Sequence, residues 1–276
     1  MHLILALKLV ALRAPAMRRR RLKAETLAAR HQPSFYRLVG LSLYKRPQTA
    51  RLRGQSTSMA SRGKQAEPRR PPPRLYLVTP QDAAGLRDRL AEALAAADIA
   101  AVLLRLPEGK EAVRADHAKA IAPTVQNKGA ALLLDGDAEL VVRAGADGAH
   151  LGGIEALAAA LPTLKPAHIA GCGRLTTRHE AMIAGEAGAD YVMFGEPDAT
   201  GCRPSFNAVA ERVAWWAELF EIPCVGFAAS LDEVEPLAAA GADFVAVGEC
   251  IFADQRGDAA AVADAAQRLA GAETIA

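Results

Sequence analysis

The chain has 276 residues and a formal net charge of +2, which conceals two oppositely charged parts. Residues 1–72 hold 17 lysines and arginines against two acids, whereas the remainder holds 16 against 29. The apolar start, residues 1–12, is too short to span a bilayer, and its arginines follow the apolar run rather than precede it, which argues against a membrane anchor and a secretory signal.

Residues 1–73 are predicted to form a disordered basic leader, rich in Arg, Ser, Gln and Pro. Other interpretations stay open: an organelle transit peptide, a basic segment that binds a membrane surface or nucleic acid, or a misassigned start with translation from Met17 or Met59. The disordered or untranslated leader is the preferred interpretation. We therefore expect neither a nucleic-acid partner nor a membrane partner.

From residue 74 onward, short apolar runs alternate with alanine-rich helical segments. Strands are predicted at residues 74–80, 100–106, 129–134, 168–172 and 223–228, and three more lie in a repeat described below. Helices are predicted at residues 82–97, 116–128, 154–164, 176–187, 206–220, 231–240 and 258–270, the first capped by Asp82. Eight units of about 25 residues predict a single (β/α)8 TIM barrel over residues 74–276.

One phrase occurs three times, beginning at Ala144, Ala187 and Ala240. Each copy has Ala-Gly-Ala-Asp followed by a short apolar run that ends at a glycine. The first glycine is typical of a helix end, because glycine accepts positive φ without Cβ strain. The apolar run without alternation favours a strand buried on both faces. The copies are predicted to be strands four, six and eight, whose likeness we ascribe to the shared interior layers of even-numbered strands.

The four cysteines show neither paired spacing nor metal-ligand spacing. We interpret them as reduced thiols of a cytoplasmic protein. A nucleophilic role for one of them stays an alternative.

The barrel segment resembles the thiamine phosphate synthase family, which includes the related thiazole tautomerases. The resemblance covers about residues 74–271. The residues that carry it are Val78-Thr79, Val102 to Arg105, Leu132 to Asp135, Gly145 to Gly152, Gly188 to Gly195 and Ala246 to Phe252.

The resemblance implies an enzyme that joins a pyrimidine diphosphate to a thiazole phosphate and releases pyrophosphate, in thiamine biosynthesis. It implies small phosphorylated substrates and Mg²⁺, and leaves the oligomeric state open. Because the family chemistry is dissociative, the site must hold pyrophosphate with Mg²⁺ and cations, hold a second phosphate and exclude water.

Four candidates follow from the strand ends and from this resemblance. Arg105 survives from the cationic motif of strand two, whereas Pro107 replaces a lysine. Asp135 and Glu155 match the metal-binding acids, the first shifted by one position and the second longer by one methylene. His150 matches the family histidine and is a candidate catalytic residue. The alternative interpretations are a helix cap for Asp135, a first-turn acid for Glu155 and a hydrogen-bonded core histidine for His150.

Further candidates lie after strands six to eight. Thr200 is predicted to be catalytic and substrate-binding, and Arg203 stands where the family has a lysine. Glu196 and Gly248, with Glu249, complete the predicted substrate-binding set.

Two departures concern the predicted phosphate site. Ala228 and Ala229 replace a phosphate-cradling glycine pair, and the acid Glu249 replaces a serine. Like charges about 4 Å apart at an effective dielectric of about 20 repel by about 4 kcal/mol before screening. The sequence thus predicts a divergent synthase-like transferase, with a member lacking synthase activity, either a tautomerase-like isomerase or a binding barrel, as the alternative.

Overall fold

The computed structural model describes residues 71–81, 83–198 and 200–273. Eight parallel strands pair in chain order, and β1 also pairs with β8, so that the sheet closes into a barrel. The strands are β1 (Arg74–Val78), β2 (Ile99–Leu104), β3 (Ala131–Asp135), β4 (Gly148–Gly152), β5 (Ile169–Gly173), β6 (Tyr191–Phe194), β7 (Cys224–Ala228) and β8 (Phe244–Val247). The predicted TIM barrel is confirmed.

Helices connect successive strands on the outside of the barrel. They are α1 (Leu86–Ala96), α2 (Glu111–Gln126), α3 (Val141–Ala144), α4 (Ile154–Leu164), α5 (Arg178–Ala187), α6 (Phe206–Leu219), α7 (Val234–Ala239), α8 (Glu249–Phe252) and α9 (Asp258–Glu273), with 3-10 turns at Ala138–Leu140 and Leu231–Glu233. Over the described residues, no helix combines the length and the apolar character needed to cross a membrane.

Most predicted elements agree with the observed ones to within a few residues, and α4 agrees at both ends. Helix α2 begins five residues before its predicted start, and α1 begins at Leu86 after Gly85 in a left-handed conformation (φ 67°). The predicted cap of α1, Asp82, lies outside the described residues. The predicted leader, apart from its last three residues, also lies outside them.

The repeated phrase forms the same interstrand clamp three times. Its aspartates, Asp147, Asp190 and Asp243, each exchange two hydrogen bonds with one residue of the preceding strand. Asp147 donates its N–H to the carbonyl of Leu132 (2.8 Å), and its carboxylate accepts from the N–H of Leu132 (2.8 Å). Asp190 bonds Ala170 in the same way, and Asp243 bonds Cys224. The clamp therefore explains the repeat by strand pairing rather than by interior layers.

Two apolar layers stabilise the barrel. The outer layer lies between strands and helices, and the inner layer fills the barrel with side chains such as Tyr76, Tyr191 and Met193. Strand β5 makes room for larger interior groups by having no side chain at Gly171 and Gly173. A Cβ at Gly171 would lie 2.0 Å from the Tyr191 ring, so this glycine lets that ring pack directly against β5.

Candidate active site

Three adjoining cavities open at the carboxyl ends of the strands, where barrel enzymes place their active sites. The first, about 700 Å³, lies over β2 to β5; the second, about 620 Å³, lies over β7, β8, β1 and β2; the third, about 260 Å³, lies over β5 and β6. Arg105 lines the first and second, Arg174 the first and third, and Arg203 the second and third. The cavities thus form one mouth with an arginine at each junction.

Asp135, at the end of β3, lies between two guanidinium groups in the first cavity. Its Oδ2 accepts from Arg105 Nε (3.2 Å), and its Oδ1 lies 4.0 Å from Arg174 Nη2. The Arg105 backbone N–H donates to the Oγ1 of buried Thr79 (3.0 Å), which anchors the start of the loop after β2. Within the described residues the Arg105 guanidinium bonds Asp135 alone, so its terminal nitrogen atoms remain for an anionic ligand.

Arg174 follows β5 and was not among the predicted site residues. Its backbone has φ 53°, a left-handed conformation that non-glycine residues adopt at a cost of about 1–3 kcal/mol. Its N–H donates to Glu196 Oε2 (2.9 Å), and its guanidinium crosses Gly152, where a Cβ would lie 3.0 Å from Nη1. A cationic side chain directly after a barrel strand is the signal that could have identified it.

Arg114 adds a third guanidinium to the first cavity, from helix α2. It is paired with Asp137, and its Nε is buried without a hydrogen-bond partner among the described residues. Burial raises the pKa of Asp137 despite this arginine. The first cavity therefore has more arginines than the sequence reasoning assigned to it.

A buried polar chain runs beneath the mouth. Tyr76 and Tyr191 share a hydrogen bond between their hydroxyl groups (2.9 Å), and the Tyr191 hydroxyl contacts His150 Nδ1 (2.8 Å). His150 Nε2 bonds Glu196 Oε1 (3.0 Å), and the two side chains are 1% and 5% exposed. Gly173 lies against this pair, since a Cβ there would lie 1.8 Å from Glu196 Oε2.

The His150–Glu196 pair is charged over part of the pH range. Burial by itself would lower the pKa of His150, but the charge and hydrogen bond of Glu196 raise it above its ordinary value. Burial would raise the pKa of Glu196, but His150 and the N–H of Arg174 lower it below its ordinary value. Burial also raises the pKa of both tyrosines, so their hydroxyl groups stay neutral. Glu196 thus links a buried imidazole to the backbone of Arg174.

An ion pair lies beside the second cavity, between Arg203 of its lining and Glu233 of the 3-10 turn after β7. Arg203 Nη1 donates to Glu233 Oε2 (2.9 Å), and Glu233 Oε2 also accepts from the N–H of Ala229 (2.8 Å), just after β7. The Glu249 side chain and the Gly248 backbone line the same cavity from the end of β8. Three arginines line this cavity with one acid, Glu249: Arg105, and Arg89 and Arg203, which are paired with Asp258 and Glu233.

The structure brings together most of the predicted residues and separates two. Arg105 and Asp135 lie in the first cavity, Arg203, Gly248 and Glu249 in the second, and Glu196 and Arg203 in the third. Thr200 is exposed and bonds Asp198 (2.6 Å), outside the cavity linings. Glu155 is exposed in the first turn of α4 and lines none of the three cavities.

The described residues offer Mg²⁺ a partial site. They contain no group of three or more His, Cys, Asp or Glu side chains arranged to hold a metal ion. Asp135 alone supplies a carboxylate at a strand end in the first cavity, with Glu108 and Asp198 elsewhere in its lining. Mg²⁺ is commonly held by one or two carboxylates together with substrate phosphates. Asp135 therefore fits Mg²⁺ that arrives with a diphosphate.

Residues 75–251 match the family model of thiamine monophosphate synthase. The chain belongs to this family. A thiamine-phosphate synthase of Rhodospirillum centenum is 38% identical over 201 residues, which cover 69% of this chain and 95% of the relative. One of Hyphomonas neptunium is 37% identical over 207 residues, covering 71% and 93%. The family predicted from the sequence is confirmed, and these relatives give no support to the alternative of a member without synthase activity.

Solved structures agree on the fold. Thiamine phosphate pyrophosphorylase from Pyrococcus furiosus superposes with a TM-score of 0.63 and 19% identity, covering 72% of this chain and 96% of that one. At this identity the likeness concerns the barrel rather than its chemistry. The effect of the differences from the family pattern at Pro107, Ala229 and Glu249 therefore has to be inferred from the arrangement of side chains in the mouth of this barrel.

Proposed function

We propose that this chain is a transferase that joins a pyrimidine diphosphate to a thiazole phosphate and releases pyrophosphate. Family membership supports the reaction, and one structural observation supports the site: Asp135 lies between Arg105 and Arg174 in the largest cavity of the mouth. Guanidinium groups bind phosphate oxygens with two parallel hydrogen bonds, so this cavity suits the diphosphate.

The diphosphate end of the substrate is the leaving group. The bond between the pyrimidine methylene carbon and the bridging oxygen breaks, and its electron pair leaves with pyrophosphate. Arg105 and Arg174, with Arg114 at the edge, stabilise the negative charge that develops there. Arg174 approaches from β5 and Arg105 from β2, so the two guanidinium groups reach the leaving group from different sides.

The thiazole nitrogen then donates its lone pair to the methylene carbon, and the product becomes a thiazolium cation. The second cavity suits this acceptor, because Phe227 and Phe252 supply apolar surface and Arg203 supplies a cation. Glu249 lines this cavity at the end of β8, where its carboxylate favours positive charge on the methylene and on the product. Burial of the reacting carbon between the cavities excludes water that would otherwise capture it.

His150 has a positioning role in this proposal rather than a catalytic one. Both ring nitrogens have partners inside the barrel, Tyr191 and Glu196, and only 1% of the side chain is exposed. Through Glu196 it holds the N–H of Arg174 and hence the direction of that guanidinium. The predicted roles of Thr200 and Glu155 remain predictions, which require movement of their exposed segments.

Mg²⁺ is the proposed cofactor, held by Asp135 and the diphosphate. When bound, it neutralises charge on the leaving pyrophosphate. A cytoplasmic location also stays a proposal; its support is that all four cysteines are free thiols.

Turnover with the two substrates and Mg²⁺ tests the proposal, with pyrophosphate release as the readout. We expect Arg105→Ala to lower kcat/KM by at least about a hundredfold, since removing one hydrogen-bond donor to the transition state costs about 2.7–4 kcal/mol. Arg143→Ala is the matched control, because Arg143 is half exposed on α3 and pairs with Glu111 away from the mouth. Full activity of Arg105→Ala would contradict the assignment, and a folded wild-type protein without turnover would contradict the function.

A further inference from the structure

One arginine of helix α1 joins the two helices that follow β8. The Nε and Nη2 atoms of Arg89 donate to the two carboxylate oxygens of Asp258, each at 2.6 Å. Nη2 also donates to the backbone carbonyl of Phe252 at 2.7 Å, and the guanidinium carbon lies 5.1 Å from the centre of the Phe252 ring. Phe252 is the last residue of α8, and Asp258 is the first of α9. A single side chain thus holds the end of one helix and the start of the next.

The segment that Arg89 holds forms one wall of the second cavity. Gly248, Glu249, Phe252 and Ala253 all line this cavity of about 620 Å³. Helix α8 has only four residues, and within it the N–H of Phe252 donates to the carbonyl of Gly248 at 3.2 Å. So short a helix is not stable by its own hydrogen bonds. Contacts from outside the segment, such as those of Arg89, therefore determine where this wall lies.

The Arg89 guanidinium is directed at protein groups rather than at a ligand. The Asp258 side chain is 6% exposed and that of Arg89 33%. A carboxylate as buried as this one depends on its countercharge, and the planar guanidinium fork matches both of its oxygens. Asp258 in turn compensates the positive charge of Arg89. Arg89 therefore acts on the second cavity through the backbone that it holds at Phe252.

We propose that Arg89 is a positioning residue for the acceptor: it holds α8 and the start of α9 against α1, and so fixes the wall that the thiazole phosphate contacts. This inference rests on the proposed function and deepens it at the second cavity. The first cavity is lined by other segments, between Gln81 and Asp198, so binding of the pyrimidine diphosphate there does not require this wall. Loss of Arg89 should weaken binding of the acceptor selectively.

The kinetic test compares the KM values of the two substrates. Arg89→Ala should raise KM for thiazole phosphate at least about tenfold and leave KM for the pyrimidine diphosphate unchanged, because the displaced wall contacts one substrate only. Arg74→Ala is the matched control. Arg74 makes the same kind of forked pair with Asp98, at 3.0 and 2.6 Å, but at the start of β1 and hence at the opposite end of the barrel. An equal rise in both KM values, or the same acceptor effect in Arg74→Ala, would overturn the inference.

Asp258→Asn distinguishes positioning from direct binding. Asparagine keeps one carbonyl oxygen for Arg89 but loses the charge and the second acceptor, so the wall should loosen. In calorimetric titration, we expect thiazole phosphate to bind at least about threefold more weakly than to the wild type. If Arg89 were itself the cation that binds the phosphate, loss of its countercharge would make binding tighter. Tighter binding by Asp258→Asn would therefore overturn the inference.

Hydrogen exchange tests the position of the wall without either substrate. Backbone amides of residues 248–258 should exchange at least about tenfold faster in Arg89→Ala than in the wild type, and at the wild-type rate in Arg74→Ala. Faster exchange and weaker binding of thiazole phosphate, in a protein whose wild type shows no turnover, would support the role of Arg89 and contradict the proposed function. Wild-type turnover with unchanged exchange in Arg89→Ala would overturn only the inference. If Arg89→Ala fails to fold, Arg89→Lys keeps the charge but cannot form the forked pair, and the same outcomes apply.

Discussion

Replacement of Glu196 by glutamine tests the buried ion pair that supports the mouth. The Glu196 carboxylate accepts from His150 Nε2 at 3.0 Å and from the Arg174 N–H at 2.9 Å. Glutamine has the same length and keeps one carbonyl oxygen for the Arg174 N–H. It loses the charge that holds the imidazole protonated. The substitution therefore tests the contribution of the carboxylate charge while the size of the side chain stays the same.

The expected loss in the free energy of unfolding follows from the change in hydrogen-bond type. A buried hydrogen bond to a charged group contributes about 1.5–3 kcal/mol and a neutral one about 0.5–1.5 kcal/mol, so Glu196→Gln should lower the free energy of unfolding by about 1–2 kcal/mol. Glu196→Ala should cost about 3–5 kcal/mol, because it leaves His150 in the interior without a countercharge.

The destabilisation caused by Glu196→Gln depends on pH, because both partners of the ion pair titrate. The raised pKa of His150 stabilises the fold below its ordinary value of 6.5, and this contribution disappears as the pH rises through the folded value. The lowered pKa of Glu196 stabilises the fold above its ordinary value of 4.5, and this contribution disappears as the pH falls through the folded value. The pair contributes fully between pH 4.5 and 6.5, so the difference between wild type and Glu196→Gln should be largest there.

Urea unfolding at about pH 5.5 and about pH 8.5 measures this difference. Glu139→Gln is the control, because Glu139 is exposed on the 3-10 turn Ala138–Leu140 and should change stability by less than about 0.5 kcal/mol. A destabilisation of Glu196→Gln that is equal at the two pH values, or larger at the higher one, would refute the charged pair.

Three further predictions concern neighbouring groups. Arg174→Ala should raise KM for the pyrimidine diphosphate at least about tenfold while leaving KM for the thiazole unchanged; equal changes in both would contradict a diphosphate role. Gly173→Ala places a methyl group 1.8 Å from the carboxylate of the buried pair and should cost about 3–5 kcal/mol in urea unfolding, whereas Gly226→Ala, whose methyl meets only a leucine side chain at 3.1 Å, should cost less. Burial raises the pKa of Cys172 to about 12, so iodoacetamide at neutral pH should label exposed Cys202 and leave Cys172 unmodified by mass spectrometry; labelling of Cys172 would indicate a reactive thiol.

The barrel was predictable because its sequence signals are local. The helix-ending glycines of the three repeats, Gly145, Gly188 and Gly241, all have positive φ, at 67°, 107° and 97°. Each precedes a strand whose position was predicted. The reason for the repeat was not predictable, because the aspartate two residues after each glycine bonds a strand about 15 to 20 residues earlier in the chain. Such pairing depends on the register between strands, which the repeat alone does not specify.

The site was predictable only at the level of strand ends. Arg105, Asp135 and Arg203 follow strands, and the barrel brings strand ends together, so their approach to the mouth could be expected. Arg174 also follows a strand, but the sequence argument did not select it. Glu233 lies five residues beyond β7 in a 3-10 turn, where an acid is typical of a helix start. Its bonds to Arg203 and to a backbone N–H require the folded loop.

The arginines also change how the lost lysine after β2 should be interpreted. The family cation replaced by Pro107 would have acted from the strand that carries Arg105. In this chain Arg174 brings a guanidinium to within 4.0 Å of Asp135 from β5, three strands away. A diphosphate responds to the position of a charge rather than to the strand that supplies it, because Coulomb interactions depend on distance and dielectric alone. A barrel mouth that loses a cation on one strand can therefore keep its anion site by gaining one on another, provided that a group such as Glu196 holds the new side chain in place.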